Sequence, residues 1–159
     1  MTTNYEDFIH ISRYARFIPE ASRRETYQDT VDRWWDYMTD KFPLLCQMPY
    51  VKKAIEDKEV MPSMRTMMAA GEALDRNHIA AYNCSYLSVD DPKCFDEALM
   101  ILMCGTGVGF SVERNAVEKM PEVPTIQRTE ETIVVADSKE GWAKGLRQLI
   151  ARLYAGEHP

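Results

Sequence analysis

The sequence predicts an α/β protein: an amino-terminal helical region followed by the first strands and helices of a sheet or barrel that this chain does not complete. Three observations carry that expectation. Two long stretches repeat apolar residues at a helical period. Strand-forming segments alternate with helical ones in the second half. Only three strand candidates occur, too few to close a barrel.

The first long helix is expected over 24–42. Tyr27, Val31, Trp34, Trp35 and Met38 fall at i, i+4, i+7, i+8 and i+11, one face of a 3.6-residue period. Asp29, Asp32, Arg33 and Asp36 fill the other face, and Pro43 ends the pattern. A second helix is expected over 47–58, with Pro49 in its first turn. Residues 60–71, with four methionines and a closing glycine, lack periodicity and read as an irregular segment packing into a core. The break between the helical part and the α/β part is placed near residue 60, giving domains 1–60 and 61–159.

Residues 80–89 are rich in residues that suit a pleated surface and read as a strand. Asp90, Asp91 and Pro92 suit the positive end of a helix over 92–104. Phe95, Leu99, Leu102 and Met103 mark its expected buried face. GTGVGFSVER (105–114) reads as a glycine-rich turn running into a strand, and 115–131 as a loop. Ile133–Ala136 is a short apolar run expected to form a buried strand. Asp137 or Ser138 caps a final helix whose face is Trp142, Leu146, Leu149, Ile150 and Leu153, and Gly156 stops it.

Composition excludes several functions. The chain of 159 residues is 45% hydrophobic and 28% charged, with a net charge of −6, so no general attraction to nucleic acid or anionic membrane is expected. No apolar run approaches the roughly 18 residues of a membrane span, and the first residues are not a secretory signal, so a cytoplasmic location is expected. Cys46, Cys84, Cys94 and Cys104 lack the close pairing of a zinc site, and the three histidines are scattered. Buried small thiols are the plain reading of Cys46, Cys94 and Cys104.

Chemistry concentrates in two places. Cys84 sits inside a strand between Asn83 and Ser85, two hydrogen-bonding neighbours. Gly105, Gly107 and Gly109 follow a helix and precede a strand, the reverse of a dinucleotide fingerprint, and no Walker-type lysine follows. Two readings remain open for these glycines: a tight turn, or main chain approached closely by a ligand. The start of the helix at Asp137–Trp142 could hold an anion or be simply capped.

Four segments in order, MPSMRTMMAAG (61–71), YNCSYLSVDD (82–91), MCGTGVGFSVERN (103–115) and VADSKEGWAKGLRQL (135–149), resemble the catalytic subunit of ribonucleotide reductases. GTGVGFSVER with DSKEGW resembles most the adenosylcobalamin-dependent class II type, as does the opening SRYARFIPEASRRETYQDTVDRWWDYM. The resemblance implies the amino-terminal portion of a ten-stranded α/β barrel preceded by helices. It implies replacement of a ribonucleotide 2′-hydroxyl by hydrogen through a thiyl radical, with adenosylcobalamin as radical source and a dithiol reductant such as thioredoxin. Cys84 matches the first of the reducing cysteine pair. Thr66 matches a substrate phosphate position, Asn83, Gly105 and Gly107 the substrate surround, and Asp91 an effector region. The radical cysteine, the partner thiol and the rest of the barrel would lie beyond Pro159, so the chain alone is expected to be inactive and poorly soluble. The alternatives are a class I large-subunit fragment and a non-catalytic nucleotide-binding module derived from the family.

Overall fold

The computed structural model describes residues 4–159, which form two compact units, Met1–Tyr82 and Asn83–Pro159. In chain order the first unit contains α1 (Asn4–Arg13), β1 (Phe17–Ile18), β2 (Arg23–Arg24), α2 (Tyr27–Lys41), α3 (Pro49–Glu56), α4 (Met64–Ala69) and α5 (Glu72–Arg76). Short 3-10 turns cover Pro43–Gln47 and His78–Ala81. The second unit contains β3 (Cys84–Ser88), α6 (Cys94–Met103), β4 (Gly107–Ser111), α7 (Arg114–Val117), β5 (Gln127–Arg128), α8 (Lys139–Tyr154) and β6 (Glu157–His158).

In the first unit α2 is the spine. Thr26 and Asp29 close a reciprocal capping box: the Thr26 hydroxyl accepts from the Asp29 N–H, and the Asp29 carboxylate accepts from the Thr26 N–H at 2.8 Å. Its apolar stripe behaves as the period requires. Val31, Trp34 and Trp35 are buried with Ile55 of α3 and with Met67 and Ala70 at the end of α4, while Tyr27 and Met38 pack at the margin. Pro49 opens α3, as expected. Lys58 follows α3 with φ +61 and lays its ammonium 4.8 Å from the centre of the Tyr27 ring.

Two expectations need correction here. Residues 64–69 are helical: Ser63 accepts from the Thr66 N–H, and unbranched methionines suit a helix, but six residues are too few to show a period. The compact units divide between Tyr82 and Asn83 instead of near residue 60, because Met67 and Ala70 share the core of α2 and α3. Arg33, on the charged face of α2 opposite the apolar stripe, is half-buried, and its guanidinium pairs with buried Glu25. Helix α1 and the β1–β2 hairpin, whose turn passes through Ser22 at φ +49, went unforeseen.

The second unit is a β–α–β element with a helix added. β3 and β4 pair in parallel, Cys84 opposite Gly107 through Ser88 opposite Ser111, and α6 makes the crossover. Helix α8 packs along α6, and Arg147 reaches back to Asp96 at 2.6 Å. Ser138 is the cap, accepting from the Gly141 N–H at 3.0 Å, and Gly156 stops the helix at φ +83.

Three sequence expectations fail in this unit. Ile133–Ala136 is not a strand. Its residues are apolar because Val135 and Ala136 lie in a notch on α8 opened by Gly141 and Gly145. A Cβ on Gly141 would come 2.1 Å from the Ala136 carbonyl oxygen, and one on Gly145 would come 2.6 Å from a Val135 methyl. The buried face expected for 92–104 is also displaced. Cys94 and Asp96 are buried, whereas Phe95 and Leu102 are exposed, since the sheet and α8 cover only part of a helix that is apolar nearly all round. Trp142, expected to anchor α8, is exposed and donates to Asp137 at 3.3 Å.

Among the described residues no helix is long and apolar enough to cross a membrane.

Candidate active site

The parallel pairing sorts the side chains of β3 and β4 onto two faces. Successive residues alternate, so Ser85, Leu87 and Val89 share one face with Val108, Phe110 and Val112. Leu87 and Phe110 border a cavity of about 790 Å³ together with Cys94, Phe95 and Ala98 of α6, so this is the helix side. Cys84 and Tyr86 therefore point to the opposite face, with Gly107 and Gly109 directly across from them. Cys84 is an exposed free thiol, and Tyr86 and both glycines are exposed too.

Helix α6 delivers the chain into this arrangement. The Gly105 N–H donates to the Leu102 carbonyl, and Gly105 takes φ +81, a conformation that L side chains rarely adopt. Thr106 is buried, and the Gly107 N–H then donates to the Asn83 carbonyl at 2.8 Å. The Ser85 hydroxyl donates to the Gly107 carbonyl at 3.2 Å. Asn83, Cys84, Gly105 and Gly107 are thus brought into one turn-and-strand assembly.

The glycines differ in what they need. Gly105 is required by its backbone. Gly107 and Gly109 are not in the left-handed region. A Cβ on Gly107 would sit 3.5 Å from the Asn83 carbonyl oxygen, and one on Gly109 3.7 Å from that of Ser85, both ordinary contacts. Their missing side chains leave a bare strip of main chain beside the Cys84 thiol.

Two sequence-derived positions have local roles. Asp91 accepts from the Lys93 N–H at 2.8 Å and so helps start α6. Thr66 belongs to the first unit. Its hydroxyl donates to the Ser63 carbonyl at 2.7 Å and accepts from the Trp34 indole at 3.3 Å. Of the other thiols, Cys94 is buried, and burial first, then Glu97 and nearby aspartates, push its pKa up, which suits an inert core thiol. Cys46 is exposed and Cys104 half-buried, so the plain reading of Cys46 as a buried thiol is corrected. It sits in the Pro43–Gln47 turn, most of which faces outward.

Sequence reasoning missed the ionic cluster around Glu25. Arginines on a polar helix face look solvated until their partners in distant segments are placed.

The fold matches part of a solved B12-dependent ribonucleotide reductase. A solved class II enzyme of that kind superposes with a TM-score of 0.78 over 94% of this chain and 30% of its own, at 20% identity. A curated relative in sequence is the adenosylcobalamin-dependent ribonucleoside-triphosphate reductase of Lacticaseibacillus paracasei. It is 26% identical over 170 aligned positions, which span 84% of this chain and 22% of the relative. No family model matches. The resemblance drawn from the four motifs therefore holds for sequence and for fold, and the chain spans about a fifth of the curated relative's length.

Proposed function

We propose that this chain forms part of an adenosylcobalamin-dependent ribonucleotide reductase, in which Cys84 is one of two cysteines that reduce the substrate. The observation that carries the proposal is the exposed Cys84 thiol on the sheet face away from α6, beside the bare main chain of Gly107 and Gly109. A ribose can approach such a strip closely enough for a thiol to reach its carbons, which a strand with side chains at these positions would prevent.

The overall change is a two-electron reduction. The ribonucleotide loses its 2′-hydroxyl as water and gains hydrogen, while two thiols become a disulfide. Cys84 supplies one of those thiols. Its partner, the thiyl-forming cysteine and the remaining strands of a ten-stranded barrel belong to the rest of the enzyme, and a dithiol protein such as thioredoxin restores the pair. Asn83, Gly105 and Gly107 are assigned to the substrate surround and Thr66 to its phosphate end. Asp91 is assigned to the effector region on the resemblance alone.

When bound, adenosylcobalamin supplies the initiating radical. Among the described residues no group of three or more His, Cys, Asp or Glu that could hold a metal ion gathers, and the residues that would hold the cofactor are assigned to the remainder of the enzyme.

The test is Cys84→Ser in a reductase holoenzyme containing this chain. Turnover with a dithiol is expected to fall to background while ribonucleotide binding persists. Multiple turnover at the wild-type rate would remove the assignment. Gly107→Ala is expected to raise KM for the nucleotide while leaving the thermal midpoint of the chain unchanged. The isolated chain, given adenosylcobalamin and a dithiol, is expected to show no turnover.

A further inference from the structure

Helix α4, which carries Thr66, is six residues long. A helix this short is marginal by itself, and its last carbonyls have no partner within the helix. In this protein two arginines take them. Arg33 of α2 donates through Nη1 to the carbonyls of Met67 and Ala70, both at 3.0 Å. Arg16 donates through Nε and Nη2 to the Met68 carbonyl, at 3.1 and 3.0 Å.

One buried carboxylate contacts both, Arg33 at its guanidinium and Arg16 at its main-chain N–H. Glu25, 5% exposed, accepts from Arg33 Nε at 2.6 Å and Nη2 at 2.9 Å, and from the Arg16 main-chain N–H at 3.2 Å. The buried Thr30 hydroxyl adds a bond to Glu25 at 2.9 Å. At the next residue of α2 the Trp34 indole donates to the Thr66 hydroxyl. Beyond α4, Gly71 takes φ +111, and a Cβ there would lie 3.4 Å from Arg16 Nη1. The chain is thereby held both within α4 and as it leaves.

We propose that Glu25, Arg16 and Arg33 form a clamp of positioning residues that fixes segment 64–71, and with it Thr66, for binding the phosphate end of a ribonucleotide. The proposal rests on the assignment of Thr66 to that end. Its physical basis is the guanidinium fork, which reads a carboxylate on one side and carbonyls on the other in a fixed plane; an ammonium cannot do this. Apolar residues of equal volume could hold the two helices together, but they could not set the rotation of α4 by its carbonyls.

Two measurements test it. The first is hydrogen exchange of the full chain, comparing Arg33→Met with Ile55→Val, a core change that leaves the clamp intact. Amides 67–71 are expected to exchange about tenfold faster in Arg33→Met once global stability is accounted for. Equal exchange in the two variants overturns the clamp.

The second is steady-state kinetics of a reductase holoenzyme containing this chain, with a ribonucleoside triphosphate as substrate. Arg33→Lys keeps the charge and loses the fork. It is expected to raise KM about tenfold with little change in kcat, the size of loss that misplacing a binding group produces. An unchanged KM in Arg33→Lys, with a raised KM in Thr66→Val, overturns the clamp's role in binding and leaves the Thr66 assignment standing. Unchanged KM in both variants removes that assignment and the clamp's role together.

Discussion

Both units expose large apolar side chains, but the unit that ends at Tyr82 buries a core of large ones, whereas the unit that begins at Asn83 buries none fully. The first buries Val31, Met67, Ile55 and two tryptophans around α2, and it satisfies its buried charges through the Glu25 cluster. The second buries only small apolar residues, Cys94, Ala116 and Ala143, while Tyr86, Phe110, Val123, Val134 and Trp142 are exposed. One oxygen of its buried Asp96 has no partner among the described residues. The difference shows how stability and function are divided. The first unit has a core of its own, whereas the second is a layer whose two faces and open strand edges are suited to being covered.

The sharpest way to break this comparison is to separate the units. Residues 1–82 are expected to unfold in one cooperative transition. Residues 83–159 are expected to bind a hydrophobic dye and to melt without a sharp transition, and to gain one when the polypeptide completing the sheet is co-expressed. A sharp, reversible, monomeric transition for 83–159 would contradict the contrast.

Next in size is removal of a charge from the first unit. Glu25→Gln leaves Arg33 without its carboxylate, and a loss on the order of 3 kcal/mol is expected in urea unfolding of the full chain. A smaller effect sharpens the picture of the second unit. Gly141→Ala should raise helix propensity, yet the added carbon would collide with the Ala136 main chain, so a net loss of about 1–3 kcal/mol is expected. Gly145→Ala should cost less, because the Val135 side chain can move, and Val135→Ala should relieve it.

Acidity acts on the same cluster. Burial alone would push the Glu25 pKa up, but hydrogen bonds from Arg33, the Arg16 N–H and Thr30 outweigh it and hold the group below its ordinary 4.5. The unfolded chain thus binds the proton more readily than the folded one. The contribution of Glu25 is present above about pH 4.5 and is lost as pH falls through the lowered folded value. His10 adds in the same direction: burial lowers its pKa below 6.5, so stability rises with pH and levels off above that value. Midpoints measured between pH 3 and 8 should therefore climb and then flatten, and Glu25→Gln should remove the lower part of the climb. The smallest expected effect is Thr26→Ala, about 1 kcal/mol from the lost cap of α2.

What could be read in advance follows from how local each signal is. The stripe of α2, the extent of α8 from Ser138 to Gly156, the start of α6 at Asp91 and the run from Gly105 into β4 depend on neighbours a few residues apart, and they stand; the face expected for α8 does not, since Ala143 and Gly145 are its buried residues and Trp142 is exposed. The order strand, helix, strand was legible, but the register that sets Cys84 opposite Gly107 was not. Helix α4 was missed because it is held by arginines from distant segments and not by its own pattern. Ile133–Ala136 misled because an apolar run signals contact without naming the partner, here two glycines of a helix. The burial expected for Phe95 and Leu102 assumed a covering layer that the described residues do not provide.

The three tryptophans are distributed in a way that makes the chain its own spectrometer. Trp34 and Trp35 lie in the core of the first unit and Trp142 at the surface of the second. Red-edge emission therefore belongs to Trp142 alone, and its blue shift would register the moment another surface settles on α8, against an internal standard that does not move.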